Sequence, residues 1–88
     1  MPYIEKEVVI KNQQGLHARP AAMFVQIVAK YNSSVTVRKG KERVNGTSIM
    51  GILTLGIQKD CTLTLEVDGE DAEKVINELL VFLSQETV

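Results

Sequence analysis

Residues Thr62 to Asp68 alternate without a fault, Leu63, Leu65 and Val67 against Thr62, Thr64 and Glu66. A period of two marks a strand with one face buried. Asp68-Gly69 turns the chain, and Ala72, Val75, Ile76, Leu79 and Leu83 then recur at helical spacing. A strand with one apolar face, followed at once by a helix with one apolar stripe, buries both most simply by laying the helix on the sheet. No other stretch constrains the fold as much. Glu70, Asp71 and Glu73 sit where a helix start favours negative charge.

The rest of the chain supplies further elements of the same two kinds. Tyr3 to Ile10 reads as a first strand, with Val8 and Ile10 on one face and Glu7 on the other. The turn Asn12-Gln13-Gln14-Gly15 leads to a helix from about Ala18 to Lys30. Pro20 suits that helix only in its first turn, where a missing N–H costs nothing. Asn32-Ser33-Ser34 ends it, and Val35 and Val37 then alternate with Thr36 and Arg38 as a second strand. Gly40 marks a hairpin into a short third strand around Arg43 to Asn45. Thr47 and Ser48 offer two candidate N-cap hydroxyls for a two-turn helix over Ile49 to Leu55, with Gly56 suited to its C-terminal end.

The order is β-α-β-β-α-β-α, an α+β chain expected to form one antiparallel sheet with all helices on one face. In the first helix Ala18, Ala22, Val25, Val28 and Ala29 form a stripe that can face the sheet. Met23 and Ile27 fall away from it, either as the margin of a wide core face, as the loose apolar residues that every surface carries, or as a docking surface beside His17.

Composition narrows the function classes. A chain of 88 residues with 44% hydrophobic content is expected to be one domain, residues 1–88, of an ordinary globule. A net charge of −1 argues against direct nucleic-acid binding and against bulk attraction to anionic membranes. Glu5, Lys6 and Glu7 exclude a signal-peptide core in the first residues, and no apolar run approaches the roughly 20 residues that span a bilayer, so no membrane insertion is expected. Cys61 is the single cysteine, so no intrachain disulfide or cysteine metal cluster can form, and a reducing cytoplasm is the expected location. One histidine and one cysteine far apart do not make a zinc site. No Walker-type loop is present, and Ser48 or Thr47 with His17 lacks a nucleophile elbow. No metal and no cofactor are expected. The carboxylates read as helix-start and strand-surface groups on solvated faces.

Against this plain background stands Gly15-Leu16-His17-Ala18-Arg19-Pro20, with the only histidine of the chain at the mouth of the first helix. A histidine there is, taken alone, most often structural or a simple cap. The neighbours change that reading. The first N–H groups of a helix have no intrahelical partner and carry partial positive charge, a site suited to phosphate. Arg19 adds a planar, permanently charged donor, Gly15 permits close backbone approach, and Pro20 fixes the first turn. An imidazole so placed can accept a phosphoryl group and have the new anion received at once.

GLHARPAA at 15–22 and VNGTSIMGILTLGI at 44–57 resemble the HPr family, the histidine-containing phosphocarriers of the bacterial sugar phosphotransferase system, and the similarity extends over essentially the whole chain. The resemblance implies an open-faced β-sandwich, a four-stranded antiparallel sheet of order 1-4-2-3 covered on one face by three helices. It implies that His17 accepts a phosphoryl group on Nδ1 from phosphorylated enzyme I and passes it to enzyme IIA domains of sugar permeases. Arg19 and the backbone N–H groups of Ala18 and Arg19 would receive the phosphoryl oxygens. Ala18, Ala22, Ile49, Met50 and Leu53 match the family's partner-docking surface. Ser48 matches the regulatory serine, the substrate of a serine kinase/phosphorylase whose product engages a catabolite-repression transcription regulator. The chain would then be a stoichiometric carrier and not an enzyme. A regulatory binding module acting mainly through phospho-Ser48 is the alternative, and the presence of His17 argues against a purely regulatory member.

Overall fold

A computed structural model describes residues 2–86. Its elements are β1 (Tyr3–Val9), α1 (Ala18–Ala29), β2 (Ser34–Lys39), β3 (Glu42–Asn45), α2 (Ile49–Thr54), β4 (Thr62–Asp68) and α3 (Ala72–Leu83). The order read from periodicity is the observed one, and boundaries differ by a residue or so, as helix and strand ends do. Ile10 leaves β1 but stays tied to the loop before β4, donating to the Cys61 carbonyl at 2.9 Å and accepting from the Asp60 amide at 2.8 Å.

All four strands pair antiparallel in the order β1-β4-β2-β3. The last strand in sequence therefore lies inside the sheet, with Thr64 between Glu7 of β1 and Arg38 of β2. Leu63, Leu65 and Val67 are fully buried on the helical side, with Val35 and Val37 beside them. All five periodic positions expected in α3 are buried too, joined by Phe82.

The stripe expected on α1 is wrong in phase. The buried residues are Pro20, Ala21, Phe24 and Val28, whereas Ala18 and Ala29 are exposed and Ala22 and Val25 half-buried. The helix is turned by roughly a quarter turn from the expected setting. Phe24, the bulkiest side chain of the helix, is fully buried and dominates the area removed from water. α1 packs against both α2 and α3, so neighbouring helices set its inner face. Ile27 is half-buried at the core margin, while Met23 is exposed.

Two carboxylates depart from the solvated reading. Glu66, on the sheet face away from the core residues, is only 7% exposed and bridges Arg38 and Arg43. The central position of β4 surrounds it with neighbours on both sides, and two guanidinium groups supply the partners that a buried charge requires. Asp71 stands at the start of α3 but makes no side-chain cap there. Its carboxylate instead accepts from the amides of Asn32 and Ser33, each at 2.9 Å, and from the Ser33 hydroxyl. The turn after α1 is thereby fastened to the start of α3.

α2 is finished at both ends. Ser48 Oγ accepts from the Gly51 amide at 3.0 Å, and the Thr47 hydroxyl is occupied by Asn45 Oδ1, so Ser48 is the cap. Gly56 follows the helix at φ +63°, the left-handed setting that ends helices. Lys39 Nζ donates to the carbonyls of Leu55 at 2.9 Å and Gly56 at 3.1 Å.

Candidate functional site

His17 is the N-cap residue of α1, with extended backbone (φ −84°, ψ −168°) and a carbonyl that accepts the Ala21 amide at 2.9 Å. Its side chain caps nothing and is exposed. Pro20, third in the helix, has no N–H, and the fourth residue's amide is already bonded. Two donors remain, the N–H groups of Ala18 and Arg19, which have no acceptor among the described residues. Arg19 is exposed and makes no ion pair among the described residues. The first turn of α1 thus presents an imidazole, two outward amides, the positive end of a helix and a free guanidinium. Chemically this set can receive an anion on the histidine ring.

What holds the histidine in place lies in the backbone before it. Gly15 has φ +69°, and a β-carbon there would collide with the Ile57 carbonyl and sit 2.7 Å from Gln58 Cα. The close backbone approach that Gly15 permits is therefore to the loop after α2. Leu16 donates to that Ile57 carbonyl at 3.0 Å and buries its side chain. Asn12 closes the turn from the other side. Its Nδ2 donates to the Gly15 carbonyl at 3.0 Å, its Oδ1 accepts the Gln14 amide at 3.3 Å, and its own carbonyl accepts the Gly15 amide at 2.9 Å. The Gln13 amide donates to the Glu86 carbonyl at 3.0 Å, so the segment after α3 backs the same turn. Asn12 was missed as a site-building residue in the sequence. The signal was an asparagine followed three positions later by glycine, the pattern of a side chain folding back onto its own turn.

The five side chains of the expected docking patch fall on two helices that pack together. Met50 is 70% exposed and Ile49 39%, Ala18 is exposed, and Ala22 and Leu53 are half-buried. Leu53 also packs against the core, which makes it the least available of the five. Ser48 is half-buried at the start of the helix that carries Met50. Among the described residues no group of three or more histidine, cysteine or carboxylate side chains is placed to hold a metal ion, and no helix is long and apolar enough to cross a membrane.

Comparison with known proteins bears on the fold and the family. Residues 4–85 match the family described as the PTS HPr component phosphorylation site. The HPr-like protein Crh of Halalkalibacterium halodurans is 39% identical over 83 residues, covering 94% of this chain and 99% of that protein. Among solved structures, phosphocarrier protein HPr from Bacillus anthracis superposes with a TM-score of 0.89 at 34% identity, covering 92% of this chain and 96% of that one. HPr-C-His from Thermoanaerobacter tengcongensis gives 0.88 at 42% identity, covering 92% and 91%. The fold, the element order and the motif around His17 lead to one assignment: this chain belongs to the HPr family of the bacterial phosphotransferase system.

Proposed function

We propose that this chain carries a phosphoryl group on His17 Nδ1, between phosphorylated enzyme I and the enzyme IIA domains of sugar permeases. One observation carries the reading: an exposed histidine at a helix start whose two outward amides and neighbouring arginine are unoccupied among the described residues. The Nδ1 lone pair attacks the phosphorus of the donor's phosphohistidine. The donor P–N bond breaks, and its electron pair returns to the donor ring. The amides of Ala18 and Arg19 and the Arg19 guanidinium receive the phosphoryl oxygens. Passing the group on reverses the roles, with the His17 P–N bond breaking. The chain is then a cytoplasmic, stoichiometric carrier and not a catalyst, and Ala18, Ala22, Ile49, Met50 and Leu53 form the surface its partners cover.

Incubation with enzyme I and phosphoenolpyruvate is expected to add one acid-labile, base-stable phosphoryl group, and His17→Ala to add none. Undiminished labelling of His17→Ala would overturn the reading.

Ser48 gives the carrier a second control point. A phosphate there stays at the positive end of α2, so the helix survives, while about −1.5 to −2 charges enter the docking surface. The phosphoserine would be written by a serine kinase/phosphorylase and read by a catabolite-repression transcription regulator. The likeness to Crh of Bacillus subtilis, described as a catabolite repression HPr, supports this regulatory arm. Ser48→Asp is expected to slow phosphorylation by enzyme I while circular dichroism and melting temperature stay close to wild type. An unchanged rate leaves Ser48 as a cap alone.

A further inference from the structure

We propose that Asn12 is a positioning residue for phosphoryl transfer, an inference that rests on reading His17 as the acceptor. Among the described residues no side chain holds the imidazole, so its placement relative to the two free amides is inherited from the backbone of residues 15–17. Asn12 sits under that backbone, 6% exposed, and uses both ends of its amide within the turn. The assignment of its two ends is unambiguous in chemical terms, since the exchanged orientation would set Oδ1 against the Gly15 carbonyl and the NH₂ against the Gln14 amide. A buried polar group with every partner satisfied rigidifies its surroundings.

Gly15 and Leu16 press the same segment against the loop at Ile57. That contact fixes one side of the turn, and Asn12 fixes the other. Removing the side chain leaves the Gly15–Leu16 peptide held only through the Leu16 amide on Ile57, so its carbonyl end, two residues before His17, loses its restraint and can shift. A displacement of about 1 Å at the reacting atom lowers transfer rates by up to about 100-fold. The role is distinct from docking, because Asn12 is buried and offers no surface to a partner.

The test measures single-turnover transfer from phosphorylated enzyme I to wild type, Asn12→Ala and Asn12→Asp, each shown by circular dichroism to be folded at the assay temperature. Asn12→Ala is expected to transfer at least about tenfold more slowly at saturating donor, with the half-saturating donor concentration within about twofold of wild type. Asn12→Asp keeps the acceptor for the Gln14 amide but sets a carboxylate against the Gly15 carbonyl, so it is slow at neutral pH. Its rate relative to wild type should recover as pH falls through the carboxylate range, because the protonated acid donates to that carbonyl again. Should Asn12→Ala not fold, this pH-dependent ratio decides alone. Wild-type rates in the variants, a loss confined to half-saturation, or an Asn12→Asp ratio that does not change with pH would each overturn the proposal. A wild-type chain that takes up no phosphoryl group would instead overturn the reading of His17 on which it rests.

Discussion

The two ends of α1 are built in opposite ways. At its start the N-cap side chain makes no bond, two amides point outward, and Arg19 stands free of carboxylates among the described residues. Beyond its last turn almost everything is tied to α3. Asp71 takes the amides of Asn32 and Ser33 and the Ser33 hydroxyl. Glu78 takes Lys30 Nζ at 2.6 Å and the Tyr31 hydroxyl at 2.5 Å. The lesson is a division of labour. Among the described residues no bond quenches the open end, and the stability that a closed cap would add is supplied at the other end. An anion arriving at His17 therefore displaces no partner among the described residues.

If the division is real, substitutions at the open end cost transfer without stability, and those at the tied end do the reverse. The largest expected effect is His17→Ala, which removes transfer entirely. Its melting temperature should stay near wild type, because an exposed residue without a cap bond contributes less than about 0.5 kcal/mol. A marked loss of stability would show that the open end is also a structural one. Arg19→Lys comes next. It keeps the charge but loses the planar paired donors, about 1.4 kcal/mol of transition-state stabilisation or tenfold in transfer rate, again with unchanged thermal unfolding. Wild-type kinetics in both directions would reduce Arg19 to surface charge.

The smallest effect sharpens the tied end through pH. The Ser33 hydroxyl, and then the Asn32 amide, hold the Asp71 carboxyl below its ordinary value, and Lys30 and then Tyr31 do the same for Glu78. A carboxyl that binds its proton less readily in the folded state stabilises the fold above its unfolded pKa of about 4. That contribution is lost as pH falls through the lower folded value. Asp71→Asn should therefore melt earlier than wild type at neutral pH while transferring phosphate normally. The gap should narrow as pH drops from about 5 to below 3. A constant gap would mean that the Asp71 charge is not what fastens the turn. Both groups face solvent, so salt should weaken the effect.

Much of the site was legible in the chain because its information is local. A histidine, an arginine and a proline at one helix start need only the helix to acquire their relation, and Pro20 itself announces where that helix begins. Ser48 was legible as one of two hydroxyls, and Asn45 decided between them by engaging Thr47. The support beneath His17 was less visible. Asn12 acts through a turn whose geometry depends on Gly15 being pressed against Ile57, more than forty positions away in sequence.

The order of strands and helices, the inward faces of β4 and α3, and the residues that share the first turn of α1 with His17 were determined by the amino-acid sequence alone. In each case one element's own period, or one helix's first turn, carries the information. The phase of α1, the burial of Glu66 and the partners of Asp71 were decided only by tertiary structure. α1 meets two helices at once, so which of its several apolar faces turns inward depends on how Phe24 fits between neighbours remote in sequence. Glu66 is buried because β4 pairs on both sides, a consequence of the order β1-β4-β2-β3 that no local period encodes. Asp71 lies at a helix start like many others, and only the arrival of the turn at residues 32–33 makes it a clamp. Periodicity reports which side of an element is apolar, and packing chooses what that side, and every charge beside it, will meet.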